Sequence, residues 1–189
     1  MGIILIKRSN QVKGSIIIIF LVLLTGCSTK DIVLNYSPSS TMTVKGALDV
    51  GRFEYLPAKN NDIKPNQIKN SALGNVLFEK NIHEYFEAAL FTEARFVGIE
   101  VNNSNASVSG EIREFFIDDL GFSVDWTLEV TYLVKKNGQR SNCYHKTKKI
   151  EKNTEKFANV FGTLNEIIKL NIEEAFKDME FTECIRLAS

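Results

Sequence analysis

Residues 122–135 alternate apolar and polar side chains, with Val124, Trp126, Leu128, Val130, Tyr132 and Val134 on one side and Ser123, Asp125, Thr127, Glu129 and Thr131 on the other. A period of two belongs to a strand; wound as a helix, the same residues would scatter apolar groups around the whole circumference. The segment is therefore predicted to be a strand with one dry face and one wet face. A lone strand is unstable, so it needs neighbours in a sheet and a cover for the dry face.

The neighbours are legible on both sides. Asn137-Gly138 directly after the strand is a strong hairpin signal, because a type I′ turn needs positive φ at both positions. The partner is predicted over residues 140–150, with Lys146 and Lys148 on its outward face as guards of a sheet edge. Upstream, residues 107–117 place Val108, Gly110 and Ile112 on one face before Phe115, Phe116 and Ile117 break the alternation, which a bulge or burial on both faces would explain. Residues 118–121 connect the two. A first strand is predicted from Thr41 through Leu48, Phe53 and Tyr55, kinked at Gly46 or Gly51, and a short one begins at Ile99. Residues 57–70 read as a long surface loop.

Two stretches can cover the dry face. In residues 71–95, Leu73, Val76, Leu77, Ile82, Tyr85, Phe86, Ala89 and Leu90 recur at helical spacing behind a cap at Asn70 or Ser71. The second opens near Asn153 and carries Phe157, Val160, Phe161, Leu164, Ile167, Ile168, Ile172, Ala175, Phe176 and Met179. Either stripe could be taken for a partner- or lipid-binding surface, but the sheet's need for a cover accounts for both. Residues 181–187 are read as a short extended piece that brings Cys184 near the sheet. The expected fold class is α+β: an antiparallel sheet of four to five strands with two long helices packed on one face, and a right-handed crossover if the first strand and the one after the helix are parallel neighbours.

The N-terminus carries a different pattern. Lys7, Arg8 and Lys13 precede the apolar run of residues 16–24, as in a secretory signal, and the run is far shorter than the ~20 residues that span a bilayer. Leu24, Thr25, Gly26 and Cys27 close it, and they resemble the lipobox of bacterial lipoproteins. That resemblance implies cleavage before Cys27 and acylation of Cys27, with palmitate-type chains held in membrane lipid. Ser28, rather than aspartate, follows the cysteine, which implies the outer membrane of a Gram-negative cell, facing the periplasm. An ordinary signal peptide, with Cys27 placed by coincidence, is the plainer alternative. The expected organisation is signal peptide over 1–26, lipidated cysteine and polar tether over 27–40, and one periplasmic α+β domain over 41–189.

Composition narrows the function. Removing residues 1–26 turns 23 basic and 23 acidic side chains into 20 and 23, a net charge of about −3, so nucleic-acid binding has no electrostatic support. Cys143 and Cys184 remain after Cys27 and are a disulfide candidate in an oxidising compartment; two separate thiols are the alternative. No metal site is expected, since His83 and His145 are the chain's two histidines and neither stands at ligand spacing from a cysteine pair. No phosphate loop, zinc-protease helix or nucleophile elbow occurs, and Asp118-Asp119 are consecutive turn residues that project apart. No catalytic residue and no cofactor is assigned, and the chain is read as a non-enzyme.

The order of strand, long helix, antiparallel strands and final helix behind a lipobox resembles a group of small outer-membrane lipoproteins: YajG-type lipoproteins, auxiliary lipoproteins of envelope ABC transport systems, and the lipopolysaccharide-assembly lipoprotein that plugs a β-barrel. Residues 41–53, residues 81–96 and Ser107-Val108-Ser109-Gly110-Glu111-Ile112 carry the likeness. It implies an accessory or adaptor role in envelope assembly or transport, with an envelope protein as partner. A lipid-binding module with an apolar cavity, and a structural component or pilot of a secretion machine, are the alternatives.

Overall fold

The computed structural model describes residues 31–71, 77–102, 104–156 and 158–186. The alternating segment is a central strand, β5 (Ser123–Lys136), flanked by β4 (Ala106–Asp118) and β6 (Tyr144–Glu155), both antiparallel to it. Beyond β4 lies β1 (Ala47–Tyr55), which runs parallel to it, and the two-residue strand β3 (Glu100–Val101) pairs parallel with the far edge of β1. A further two-residue strand, β2 (Lys69–Asn70), pairs parallel with β4 at Phe116 and Ile117, past the point where β1 ends. The six-stranded sheet is thus mixed, in the order β3-β1-β4-β5-β6, which corrects the expected antiparallel sheet of four to five strands. Strand direction is a matter of the connections. The chain leaving β1 returns through a helix, and a helical crossover brings the next strand back in the same sense.

Burial follows the alternation. Val124, Trp126, Leu128, Val130, Tyr132 and Val134 are all buried. Across the other face, Arg113 bridges Glu111 and Glu129, and the buried Thr131 shares a hydroxyl hydrogen bond of 2.7 Å with Thr147. The break seen at Phe115-Phe116-Ile117 is a bulge: the β4–β5 register slips between Ile112 and Glu114. One extra residue switches parity, so Val108, Gly110 and Ile112 point inward before it, and Phe115 and Ile117 after it. A second slip, between Val50 and Phe53, falls at Gly51.

The helices are α1 (Leu56–Lys59), α2 (Ile82–Phe96), α3 (Val160–Phe176) and α4 (Met179–Ile185). The long α2 lies over β1, and α3 over β5 and β6, so two helices do cover one face. Three boundaries differ from expectation. α2 starts behind Asn81, whose backbone N–H donates to Glu84 Oε2 at 3.1 Å, while Leu77 and Phe78 form bridges with Gln67 and Ile32. Leu73 and Val76 lie outside the described residues. α3 starts behind Asn159, whose Oδ1 accepts from Gly162 N at 3.0 Å, because β6 runs on to Glu155. The expected last extended piece is α4, so Met179 is exposed instead of continuing the apolar stripe.

The edge strand is turned over relative to expectation. Connection 137–143 is longer than a two-residue hairpin, and only Gly138 in it has positive φ, at 80°. Val134 consequently pairs with Tyr144, which puts Lys146 and Lys148 on the helix-covered side. Their stems lie along apolar surface and their ammonium groups reach Asp178 at 3.2 and 2.8 Å. Asp178 also accepts from Tyr144 Oη at 3.1 Å and from Glu180 N at 3.1 Å, as the N-cap of α4. Burial alone would push this carboxyl up; the hydrogen bonds from Lys148, Lys146, Glu180 and Tyr144 outweigh it and hold the group well below the usual carboxylate range. A depressed folded value stabilises above the unfolded value, near 3.9, and that contribution is lost as pH falls toward the folded one. Asp178→Asn, which keeps a capping oxygen, should therefore lower the denaturant midpoint at pH 7, with the gap to wild type closing below about pH 4. A gap of constant size down to pH 2 would refute this.

Rings tie the layers together. Tyr132 meets Phe53, Phe86 and Phe181 at centroid distances of 5.9, 6.2 and 6.5 Å. Its hydroxyl donates to Asn171 Oδ1 at 2.8 Å, and Asn171 Nδ2 donates to the carbonyls of Leu128 (3.1 Å) and Lys148 (2.9 Å), so this fully buried amide uses both ends. Cys143, just ahead of β6, is disulfide-bonded to Cys184 of α4, with Cα atoms 6.0 Å apart.

Candidate functional site

The N-terminal chain enters the fold at Ile32, whose N–H donates to Leu77 O at 2.9 Å and whose carbonyl accepts from Glu79 N at 3.0 Å. It then follows the seam between α2 and α3. The Asn35 carbonyl accepts from Asn165 Nδ2 of α3, and Tyr36 packs edge-on against Tyr85 of α2. Glu93 of α2, 1% exposed, accepts from Tyr36 Oη at 2.6 Å and from Ser39 N at 3.0 Å. Burial, then the Glu93 carboxylate, pushes the Tyr36 hydroxyl far above its ordinary value, so it stays protonated as the donor. Within the stretch expected to be a polar tether, Asn35, Tyr36 and Ser39 are thus bound to the helices.

Glu93 is the latch of that segment. Glu93→Ala should cost about 2–3 kcal/mol, the scale of hydrogen bonds to a charged group, and Glu93→Gln should cost less because it keeps an acceptor. Limited proteolysis checks the location: cleavage within residues 31–46 should accelerate in the alanine variant and nowhere else.

Where Ile32 enters, the domain ends in an apolar surface. A groove of about 230 Å³ is lined by Ile32, Ile68, Phe78, Ile117, Val160, Phe161 and Leu164, with Asn70 at its rim. On its α3 side Val160 is 42% and Phe161 50% exposed; in the nearby β4–β5 turn Leu120 is 72% exposed and Phe122 fully so. The turn is held in place: Leu120 N donates to Asp118 Oδ1 at 3.3 Å, and Lys156 Nζ, on the chain leading into α3, donates to the Gly121 carbonyl at 3.0 Å. Periodicity alone groups Phe122 with the strand and Phe161 with a core stripe. The signal that separates them is Leu120-Gly121-Phe122, an apolar tip where a connection is normally polar.

Other concavities are more open and mix charged with apolar lining. One of about 470 Å³ near the disulfide is lined by Glu100, Asn102, Lys136, Gln139 and Arg186; another of about 600 Å³ by Arg52, Glu54, Lys59 and His83 together with Phe53, Tyr55 and Pro65. His145 is exposed on the wet side of β6. Asp118 makes the turn just described and Asp119 is buried, so the two carboxyls lie in different surroundings. Among the described residues, no group of three or more His, Cys, Asp or Glu is placed to hold a metal ion, and no helix is long and apolar enough to cross a membrane. Leu24, Thr25, Gly26 and Cys27 lie outside the described residues; of the sites read from sequence, the structure brings together Cys143 and Cys184.

No family model matches the chain, and no curated protein matches it in sequence. Its fold is similar to that of a Xanthomonas campestris protein of the DUF330 family, with 12% identity and a TM-score of 0.56 over 82% of this chain and 91% of that one. A hypothetical protein of Chlamydia trachomatis aligns at 10% identity and a TM-score of 0.49, over 74% of this chain and 98% of that one. A minor lipoprotein of Acinetobacter baumannii aligns at 10% identity and 0.36, over 74% and 92%. At such identities the first likeness is one of fold.

Proposed function

We propose that this protein is a lipid-anchored, non-catalytic accessory or adaptor lipoprotein of a bacterial cell envelope, held by acylated Cys27 at the outer membrane and facing the periplasm. The observation that carries the reading is the placement of the Leu24-Thr25-Gly26-Cys27 pattern five residues ahead of Ile32, where the chain joins a domain whose nearest end is apolar. The mechanism is confinement. A domain held at a membrane meets its partners there at raised effective concentration, so weak protein contacts suffice. The polar outer face of β4, β5 and β6, with Thr147 and the Arg113–Glu129 pair, remains available to an envelope protein.

The mass of the mature chain from envelope fractions tests the anchor: an acylated N-terminal Cys27 is expected, and an unmodified Cys27 or a start elsewhere overturns it. In-cell crosslinking tests the adaptor role, which fails if no envelope protein is captured. The lipid-binding alternative calls for a cavity of roughly 300–1,000 Å³. The apolar groove, at about 230 Å³, falls short of that range, and the larger concavities are more open and carry charged side chains in their linings, which disfavours it.

A further inference from the structure

Four exposed apolar side chains at the anchor-proximal end come from two separate elements. Leu120 and Phe122 project from the β4–β5 turn, and Val160 and Phe161 from the first turn of α3. Ile117 joins them, since it lines the groove with Phe161 and lies three residues before Leu120. The turn is pinned by Lys156 and Asp118, so it presents Phe122 to solvent as a fixed feature. A cluster of this kind on a rigid end marks a contact surface.

The covalent chain says what that surface meets. Ile32 walls the same groove and is fixed to Leu77 and Glu79, and Cys27 is five residues upstream. Five residues reach at most roughly 18 Å when fully extended. The opposite end of the sheet, at the connection after Lys136, is ten residues of strand beyond Trp126, the partner of Ile117, or roughly 33 Å further away. An acyl chain on Cys27 therefore keeps the apolar end near the bilayer, whereas the Gln139 end is free to lie far from it. We propose that Leu120, Phe122, Val160 and Phe161 dock on the phospholipid bilayer that holds Cys27, with both phenylalanines in the boundary between headgroups and acyl chains. This rests on the lipid-anchor reading above. The groove is too small to enclose a whole lipid molecule, which fits a surface contact. At this end Lys69 and Lys156 are outnumbered by Asp118, Asp119, Asp125 and Glu155, so the attraction is apolar and should not weaken as salt is raised. Docking would fix the orientation of the domain and leave the polar sheet face exposed to the periplasm.

Full-length acylated protein reconstituted in phosphatidylethanolamine and phosphatidylglycerol vesicles tests this, with brominated acyl chains as quencher. Trp126 is buried, so parent fluorescence serves as background for Phe122→Trp, Phe161→Trp and the far-end control Gln139→Trp. The first two should lose most of their added emission to brominated lipid, at low and high salt alike, and the control should keep its own. Quenching at all three sites, or at none, overturns the docking. So does an added emission in the Phe122→Trp variant that is shifted to the blue yet unquenched, because a second copy or a protein partner then covers the surface. The mass of the same sample separates the two readings: acylated but unquenched protein defeats the docking alone, and unacylated protein defeats the anchor and the docking with it.

Discussion

Reducing the Cys143–Cys184 disulfide should lower the unfolding free energy by about 4 kcal/mol, the chain-entropy value for a closed loop of this size, which spans 41 residues. Against a total of roughly 5–15 kcal/mol, that is a large share. The loop contains all of β6 and α3, so opening it frees the edge strand and the helix above it together. The bridge also holds α4, whose Phe181 meets Tyr144 edge-on at 5.2 Å and Phe176 at a tilt at 5.6 Å. Denaturant unfolding with and without a strong reductant measures the difference, and Cys143→Ser should reproduce it without reductant. Equal midpoints under full reduction would show that the bridge contributes nothing.

Gly110→Val should be the most damaging single substitution in the sheet. Gly110 sits in β4 opposite Tyr132, and a Cβ there would overlap the Thr131 carbonyl oxygen and stand 2.8 Å from the Phe53 ring. The first obstacle is backbone within the ladder, which cannot swing aside as a flexible side chain can. Overpacking a core costs typically about 1–3 kcal/mol, and a β-branched side chain against backbone belongs at or above the top of that range. A thermal midpoint within a degree or two of wild type would refute the assignment. Gly110→Ala should be milder and still destabilising, since its Cβ meets the same carbonyl.

The residues most legible in the sequence are those whose signal is local. Val124 through Val134 announce a strand because the period of two lies within one segment, and Phe115-Phe116-Ile117 announce an irregularity because parity fails within a few residues, which the register slip identifies as a bulge. The apolar stripe ending in Met179 is only partly a core face: Leu164 to Phe176 supply it, but Asp178 caps a new helix and turns Met179 out. The inward placement of Lys146 and Lys148 is illegible, because it depends on the length of connection 137–143 and on Asp178, some thirty residues on. Likewise, Phe122 reads as the start of a strand, Val160 and Phe161 as part of a core stripe and Leu120 as part of a connection, and only their positions in space make them one surface.

By itself, the sequence determined that this chain builds a half-buried sheet roofed by amphipathic helices, that Cys143 and Cys184 could pair, and that a lipobox-like pattern precedes the domain. Periodicity and composition are properties of neighbours in the chain, and these conclusions need nothing more. Only the tertiary structure decided the parallel pairing of β1 with β4, the latching of Tyr36 and Ser39 by Glu93, and the gathering of apolar side chains where the chain enters at Ile32. Each of these joins residues that are far apart in sequence, and what selects them is the closure of loops around a shared core, which no local pattern records.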